Sequence, residues 1–206
     1  MATNSAPHHG GGPALFMGAA VLTSALQLAS CGSSAPPARV TSEFTAELAE
    51  VFEDGADYVE DPEVLEGLWR DEWSRDLDRR VSYSDLIVQV SVAAIHTDTD
   101  LDRRSAVRLE VHIDDVMLGD PPGEQLTLRV REGEPGYGTL EGNDTRLLRE
   151  HFVAFVKWYQ GDGQILAHWH LSPSADGVVR RVRYLVEQRR TAAEDQSERR
   201  VIVQDD

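Results

Sequence analysis

The chain has 206 residues, of which 41% are hydrophobic, and this size and composition predict one domain with a buried core. Its 36 acidic residues against 20 Lys and Arg give a formal net charge of -16, which argues against nucleic acid as a partner because phosphates require a basic surface. A single cysteine excludes an intrachain disulfide framework and a cysteine-based zinc site.

An apolar run occupies residues 14–28. It is shorter than the ~20 apolar residues of a membrane-spanning helix and has the length of a signal-peptide core. Residues 28–31 then read Leu-Ala-Ser-Cys. This string resembles the lipobox of bacterial lipoproteins, in which an apolar residue and two small residues precede the cysteine. The resemblance implies that residues 1–30 are removed as a signal peptide and that Cys31 carries lipid, which would hold the protein on a membrane.

The residues on either side of this motif bear on the localisation of the protein. Residues 1–13 contain no Lys or Arg, which departs from the basic start of ordinary signal peptides. Gly32, and not Asp, follows the cysteine, and by resemblance to the lipoproteins of enteric bacteria this implies the outer membrane. Residues 31–41 are small and Pro-rich, so we expect a flexible tether there. The sequence therefore predicts a lipid-anchored protein of the bacterial cell envelope.

Two helices are predicted in the helical segment at residues 42–80. The first is a short amphipathic stretch that ends at Gly55. The second spans residues 62–79, because Asp61 is a good N-cap and Pro62 suits the first turn of a helix. Each helix is expected to bury one apolar face against the rest of the domain.

The second helix carries two tryptophans on its apolar stripe. Trp69 and Trp73 are four residues apart and therefore share one face of the helix. We interpret this stripe as part of the core, and the alternative is a partner-binding surface at these two residues. On the other face, Asp76 and Arg80 have i,i+4 spacing, which predicts an exposed ion pair on the helix.

From residue 83 onward, apolar residues recur at every second position, which is the period of β-strands. Five strands are predicted, at residues 86–92, 107–113, 126–130, 152–159 and 165–171. The fourth is apolar on both faces, as central strands are, and a turn at residues 161–163 joins it to the fifth. The pattern predicts a mainly β fold, a small antiparallel OB-like barrel or sandwich of about five strands with helices before and after.

The β domain is expected to occupy residues 81–188 and to include a closing helix, because apolar residues between positions 178 and 186 have helical spacing. The remaining tail, residues 189–206, is polar. We expect this tail to fray, and the alternative is an edge strand at residues 201–203, which read Val-Ile-Val.

Three segments of this domain resemble a bacterial domain built on the OB-type barrel of the TIMP and netrin proteins. They are residues 84–88, where an aspartate precedes an apolar strand, residues 111–120, where a strand runs into a turn, and the apolar residues 152–156. The resemblance covers residues 83–160 and implies an OB-type barrel. It departs from the family where residues 117–119 lack a basic side chain and where no cysteine supports the barrel. Inhibition of metalloproteases, which in the animal members requires an amino-terminal cysteine fixed by disulfides, is not implied.

His168 and His170 are the candidate metal ligands. Alternate residues of a strand share a face, so both imidazoles are expected to point the same way. With His112, on the polar face of its own strand, as a third ligand, they would hold Zn²⁺ or Cu²⁺. The alternative is two ordinary histidines on a sheet surface. No other cofactor is indicated.

A long Gly-rich loop is predicted at residues 133–144. It lacks the Gly-Lys-Ser/Thr of a phosphate-binding loop. Because long loops on a rigid barrel often carry binding, Tyr137 is a candidate contact residue, and the alternative is a plain connection.

Two functions fit these patterns. The first is a lipid-anchored, non-enzymatic envelope protein that binds a protein or a glycan, or belongs to a larger assembly, through the helix at residues 62–79 or the loop at residues 133–144. No Gly-x-Ser-x-Gly elbow is present, so the sequence indicates no catalytic nucleophile. The second is a periplasmic metal-binding protein or metal-dependent enzyme that uses His168 and His170.

Overall fold

The computed structural model describes residues 43–99, 103–161 and 164–204. Side chains are described for these residues except at positions 161, 164 and 196–204. The predicted signal peptide, the lipidation site Cys31 and the tether lie outside the described residues. Two of the three residues of the predicted turn between the fourth and fifth strands lie outside them as well.

Six strands form one sheet that curls into a half-barrel. They are β1 (Gly55–Ala56), β2 (Leu86–Thr99), β3 (Ser105–Leu118), β4 (Gln125–Arg131), β5 (His151–Gly161) and β6 (Gln164–Pro173). Their order across the sheet is β1-β6-β5-β2-β3-β4, so β1 and β4 form its edges. The five long strands confirm the predicted mainly β fold. The two-residue strand β1 was not predicted.

Helices precede and follow the sheet, as predicted. They are α1 (Ala46–Val51), a 3-10 turn (Pro62–Val64), α2 (Gly67–Tyr83), α3 (Tyr137–Leu140), α4 (Asp144–Leu147) and α5 (Asp176–Gln204). The second predicted helix begins later than expected. Asp61 caps only the 3-10 turn, the backbone of Leu65 is extended, and Gly67 has a φ of 56°. These two residues interrupt the helical path, so α2 begins at Gly67.

The concave face of the sheet encloses the larger apolar core. Alternate residues of the strands point into it, and their burial explains the period of two in the sequence. Members with no exposed surface include Leu86, Val88, Val90, Leu109, Val111, Val130 and Ala154. Trp169 of β6 joins this core at 1% exposure. Burial of a large apolar side chain contributes about 1.5–3 kcal/mol, so this face fixes the register of the strands.

Helices α1, α2 and α5 cover the convex face. Their apolar residues pack with Ile87 on the outer face of β2 and with Val153 and Phe155 on the outer face of β5, which is why the central strand β5 is apolar on both faces. Buried members of this second core include Leu48, Leu77, Val81, Ile87, Val153, Phe155, Val178 and Val182. The sheet is therefore sandwiched between the enclosed core and a helical layer.

The carboxyl-terminal part differs from the frayed tail expected at residues 189–206. Helix α5 continues through it to Gln204, and this helix also takes in the alternative edge strand at residues 201–203. The physical reason lies at its middle, where Arg189 donates to two carbonyl oxygens at the end of α2 at 2.7 and 2.8 Å. Arg190 donates to the carbonyl oxygen of Met117 at 2.7 Å. These bonds fasten the helix to the domain.

Candidate functional site

The short strand β1 lies parallel to β6 and has an aspartate on either side. The N–H of Asp54 donates to the carbonyl oxygen of Trp169, and the N–H of Asp57 donates to that of Leu171, both at 2.9 Å. Asp54 has a φ of 57°, in the left-handed region that costs a residue other than glycine about 1–3 kcal/mol. The surrounding contacts therefore hold both carboxylates against β6.

A close approach of Gly136 to β1 supports this arrangement. The N–H of Gly136 donates to the carbonyl oxygen of Glu53 at 2.8 Å, and a Cβ on this glycine would lie 2.4 Å from backbone atoms of Asp54. The hydroxyl of Thr139 accepts from the N–H of Ala56 at 2.9 Å. The segment predicted as a long loop, residues 133–144, instead contains α3 and ends at the first residue of α4, and α3 packs against β1.

Asp54 and His168 form a hydrogen-bonded pair. Nδ1 of His168 lies 2.5 Å from Oδ2 of Asp54, and the N–H of Trp169 donates to Oδ1 at 2.9 Å. Asp54 is only 5% exposed. Burial raises the pKa of this carboxyl, although the hydrogen bond and charge of His168 oppose the rise. The carboxyl fixes the orientation of the imidazole, as an aspartate does beside many functional histidines.

Two aromatic rings enclose the imidazole of His168. Its ring centroid lies 3.8 Å from that of Phe44 and 4.6 Å from that of Tyr159, both in stacked geometry. Nε2 of His168 has no hydrogen-bond partner within the described part of the chain. The ring is thus held on three sides and has one nitrogen free for a ligand.

Asp57 is the centre of a second, closed network beneath α2. Its Oδ2 accepts from Arg80 Nη1 at 3.2 Å, His170 Nε2 at 3.1 Å and the hydroxyl of Ser172 at 2.7 Å. Arg80 is 8% exposed and His170 is 1% exposed. The network ties α2, the end of β1 and β6 together.

Opposing effects set the protonation of this network. Burial alone would raise the pKa of Asp57, but hydrogen bonds from His170 and Ser172 and the charge of Arg80 outweigh it and lower the pKa. Burial, helped by the charge of Arg80, lowers the pKa of His170, although Asp57 opposes the shift. Asp57 is therefore charged and His170 neutral at pH 7. Nδ1 of His170 has no hydrogen-bond partner, and Oε1 of Glu53 lies 3.7 Å from it.

The structure does not bring His112 to the other two histidines. His112 lies on β3 opposite Ser91 of β2, and β3 is three strand spacings from β6, about 14 Å along the sheet. His168 and His170 do share one face of β6, as predicted, but each contacts a different aspartate. Within the described ranges, no group of three or more His, Cys, Asp or Glu side chains is arranged to hold a metal ion.

A pocket of about 360 Å³ lies where the half-barrel stays open, between β4 and β6. Thr127, Arg129 and Arg131 of β4 line one side, and residues 165–169 of β6 line the other. Asp54, Glu134, Trp158 and Tyr159 also contribute to its walls. The Asp54–His168 pair therefore belongs to an open pocket, whereas the Asp57 network is closed. We define this opening between β4 and β6 as the seam.

The residues predicted as a binding surface are found in three environments. Trp69 is 76% exposed near the start of α2. Trp73 is partly buried against the convex core, and its Nε1 has no hydrogen-bond partner. Tyr137 is 8% exposed and belongs to the enclosed core. Of the three, only Trp69 lies open to solvent, so the prediction that its stripe packs into the core is wrong for Trp69, which lies before the part of α2 that contacts the sheet, and holds for Trp73.

The sequence pointed to the two histidines but not to the residues that hold them. Asp54 and Asp57 are two of 36 acidic residues, and no spacing distinguishes them. Asp54-Gly55 is a turn-forming dipeptide, which is the one local signal that the chain changes direction there. Arg129 and Arg131 were expected only as polar positions that alternate with apolar ones in a strand.

Comparisons of the chain with protein-family models, with curated proteins and with solved structures found no match. In the part of the chain that the structure describes, no helix combines the length and apolar character needed to cross a membrane. The functional argument therefore depends on the geometry of the seam and on the sequence of the amino-terminal segment.

Proposed function

We propose that this chain is a lipid-anchored protein of the bacterial cell envelope, at the outer membrane, whose β domain binds a protein or a glycan. The observation that carries the binding role is the seam pocket. It combines two exposed arginines, Arg129 and Arg131, with aromatic rings and a histidine oriented by Asp54. Such a concave site with a few fixed polar groups is typical of ligand binding. The anchor is supported by the lipobox that ends at Cys31.

Binding is favoured over catalysis by the surroundings of His168. An Asp–His pair that activates a nucleophile of its own chain needs that nucleophile within hydrogen-bond reach of the second imidazole nitrogen. Nε2 of His168 has no such neighbour among the described side chains. We assign the pair the role of a fixed polar contact in a ligand pocket. The resemblance of the domain to a TIMP- and netrin-like OB-type barrel stays a prediction.

The anchor and the binding role are tested together in intact cells. A photo-crosslinking residue replaces Leu166, which lines the pocket and is 38% exposed, and in a matched control it replaces Tyr184, which is 54% exposed on α5. We expect a discrete adduct from position 166 alone. We also expect Cys31→Ala to move the protein out of the membrane fraction. Equal adducts from both positions would contradict the binding site, and unchanged membrane association of the Cys31 variant would contradict the anchor.

Metal binding at His168 and His170 is the second candidate, and one observation favours it. The buried Nδ1 of His170 is unpaired, with Glu53 close to it, and a metal ion would satisfy both. Zn²⁺ or Cu²⁺ bound to the folded chain would raise its melting temperature. We expect any such rise to vanish in the double variant His168→Ala, His170→Ala. An unchanged melting temperature of the native chain with either metal would refute this candidate.

A further inference from the structure

The side of β6 that faces the seam has unpaired backbone groups. Trp169 and Leu171 direct their backbone groups toward β1, where Asp54 and Asp57 bond to them. Backbone groups of alternate residues in a strand point to the same side, so Ile165 directs its N–H and C=O into the seam, and Ala167 does the same. Strand β1 is too short to reach them, and within the described residues these groups have no backbone partner.

Strand β4 presents a matching free edge on the other side of the seam. The N–H of Arg131 points away from β3, since it donates to the carboxylate of Glu134 at 2.6 Å. By the same alternation, Thr127 and Arg129 direct their backbone groups into the seam. Among the described side chains, one bond reaches this edge from β6, from the Trp169 indole to the carbonyl oxygen of Arg129, and it is long at 3.4 Å. Exposed edges of this kind are templates for another strand.

The direction of the two edges suits one added strand. Strand β4 is antiparallel to β3, and β3 is antiparallel to β2. Strand β6 is antiparallel to β5, and β5 is also antiparallel to β2. Both β4 and β6 therefore run in the direction of β2 and are parallel to each other. A single strand that enters the seam in the opposite direction would be antiparallel to both. Antiparallel pairing is the more stable arrangement per residue, and the added strand would close the half-barrel.

The side chains along the seam indicate the composition of such a strand. On its inner side lie Trp158 and Ala167, and Ile165 there is 49% exposed. On its outer side lie Arg129 and Arg131, which are exposed and make no ion pair with any described residue. Cross-strand neighbours of opposite charge stabilise a sheet. The matching strand therefore alternates apolar residues that face inward with acidic residues that face outward.

We propose that an extended acidic segment of a partner protein docks in the seam as an added strand, antiparallel to β4 and β6. Its backbone pairs with Thr127 and Arg129 on one side and with Ile165 and Ala167 on the other. Its acidic side chains lie against the two arginines of β4, and the long hydrogen bond from the Trp169 indole to the carbonyl oxygen of Arg129 is broken. This inference rests on the proposed binding function and names the chemistry of the partner.

The test is an unbiased peptide selection on the full chain in detergent micelles. A display library of random nonapeptides is selected for binding, and the affinities of the selected peptides are measured by the fluorescence of the pocket tryptophans. We expect peptides in which apolar and acidic residues alternate. Thr127→Pro removes one edge N–H, and proline is tolerated in an edge strand. We expect this variant to bind the selected peptides about tenfold more weakly than the native chain, which is the effect of one lost hydrogen bond.

A charge reversal separates the electrostatic part of the proposal. Arg129→Glu is expected to weaken binding of the selected peptides at least as much as Thr127→Pro does, because it places a glutamate beside the acidic side chains of the peptide. Arg180→Glu makes the same change on the exposed face of α5 and is expected to leave the affinity unchanged. Circular dichroism melting of each variant verifies that the domain is folded.

Several outcomes would overturn the proposal. These are no selected peptide, peptides without the acidic alternation, or peptides that bind the Thr127→Pro variant as tightly as the native chain. A selected sequence that matches residues 1–42 of this chain would identify its own amino-terminal part as the occupant. A dimer in sedimentation that is lost with Thr127→Pro would identify a second copy. If the selection fails while position 166 still crosslinks a partner in cells, strand docking is wrong and the binding function stands; if both fail, so does the binding function.

Discussion

The closed network at Asp57 gives the sharpest test of what holds the domain together. Asp57→Asn removes the negative charge and leaves Arg80, whose side chain is 9% exposed, as a buried cation without its hydrogen-bonded counter-charge. Breaking a buried ion pair in this way costs about 3–5 kcal/mol. The neutral amide also replaces an oxygen that accepts three hydrogen bonds. We therefore expect a large loss of unfolding free energy.

The same helix supplies a matched control. Asp78 on α2 pairs with Arg181 at 3.2 Å, the distance between Arg80 and Asp57, but its pair is 48% and 40% exposed. An exposed pair contributes about 0–1 kcal/mol because water screens it. Asp78→Asn is therefore expected to cost less than a third of the free energy that Asp57→Asn costs. The two ion pairs have the same length and differ in burial and in the further hydrogen bonds that Asp57 accepts from His170 and Ser172.

Urea unfolding of the full chain, followed by tryptophan fluorescence, measures the difference. With a slope of about 2 kcal/mol per molar urea, a loss of 3–5 kcal/mol lowers the midpoint by about 2 M. The double variant Asp57→Asn, Arg80→Met is expected to be more stable than the sum of the two single losses predicts, because no unpaired charge remains. Equal midpoints for the Asp57 and Asp78 variants, or additive single losses, would refute the reasoning.

Three further predictions concern packing and pH. Trp73→Ala is expected to lower the unfolding free energy by about 2 kcal/mol or more, whereas Trp69→Ala, at an exposed position, stays within about 0.5 kcal/mol; similar losses in thermal unfolding would contradict the assigned burial. Gly136→Ala is expected to lower the melting temperature because its Cβ would meet backbone at 2.4 Å, whereas Gly138→Ala meets nothing within 4 Å; equal melting temperatures would contradict this contact. Burial lowers the pKa of His170 from 6.5 in the folded chain, so as the pH falls the unfolded chain binds a proton at a higher pH than the folded chain does. The unfolding free energy is therefore highest above pH 6.5 and decreases as the pH drops below 6.5. His170→Gln is expected to reduce this fall in urea unfolding at about pH 7.5 and 5.5, and an identical fall in the variant would contradict it.

Five strands could be predicted because most of their inward residues are buried, which imposes a period of two on the sequence. The alternation of Val107, Leu109 and Val111 in β3 is an example. Strand β1 has only two residues, and two residues have no period. Its formation depends on β6, more than 110 positions away. Local patterns therefore contain no information about it.

The candidate site could be predicted only in part. The i,i+2 spacing of His168 and His170 placed both on one face of a strand, but their carboxylate partners come from a distant segment. Arg80 has the helical spacing to pair with Asp76, yet its side chain bonds to Asp57. The preference is physical, because β1 brings a carboxylate that is only 19% exposed beneath α2, where an ion pair is less screened by water. Spacing within a helix describes only neighbours on that helix.

The bonds of Asp54 also decide when the site can form. Its partners His168 and Trp169 are 114 and 115 residues away in the sequence. The entropic cost of closing a loop grows with the length of the loop. Contacts between such distant residues make folding slow. Because synthesis begins at the amino terminus, residues 53–57 remain without their partners until β6 has been made. The seam and His168 are therefore assembled only when nearly the whole domain has been synthesised. A chain truncated before β6 would keep Asp54 and Asp57 but would not form the seam pocket.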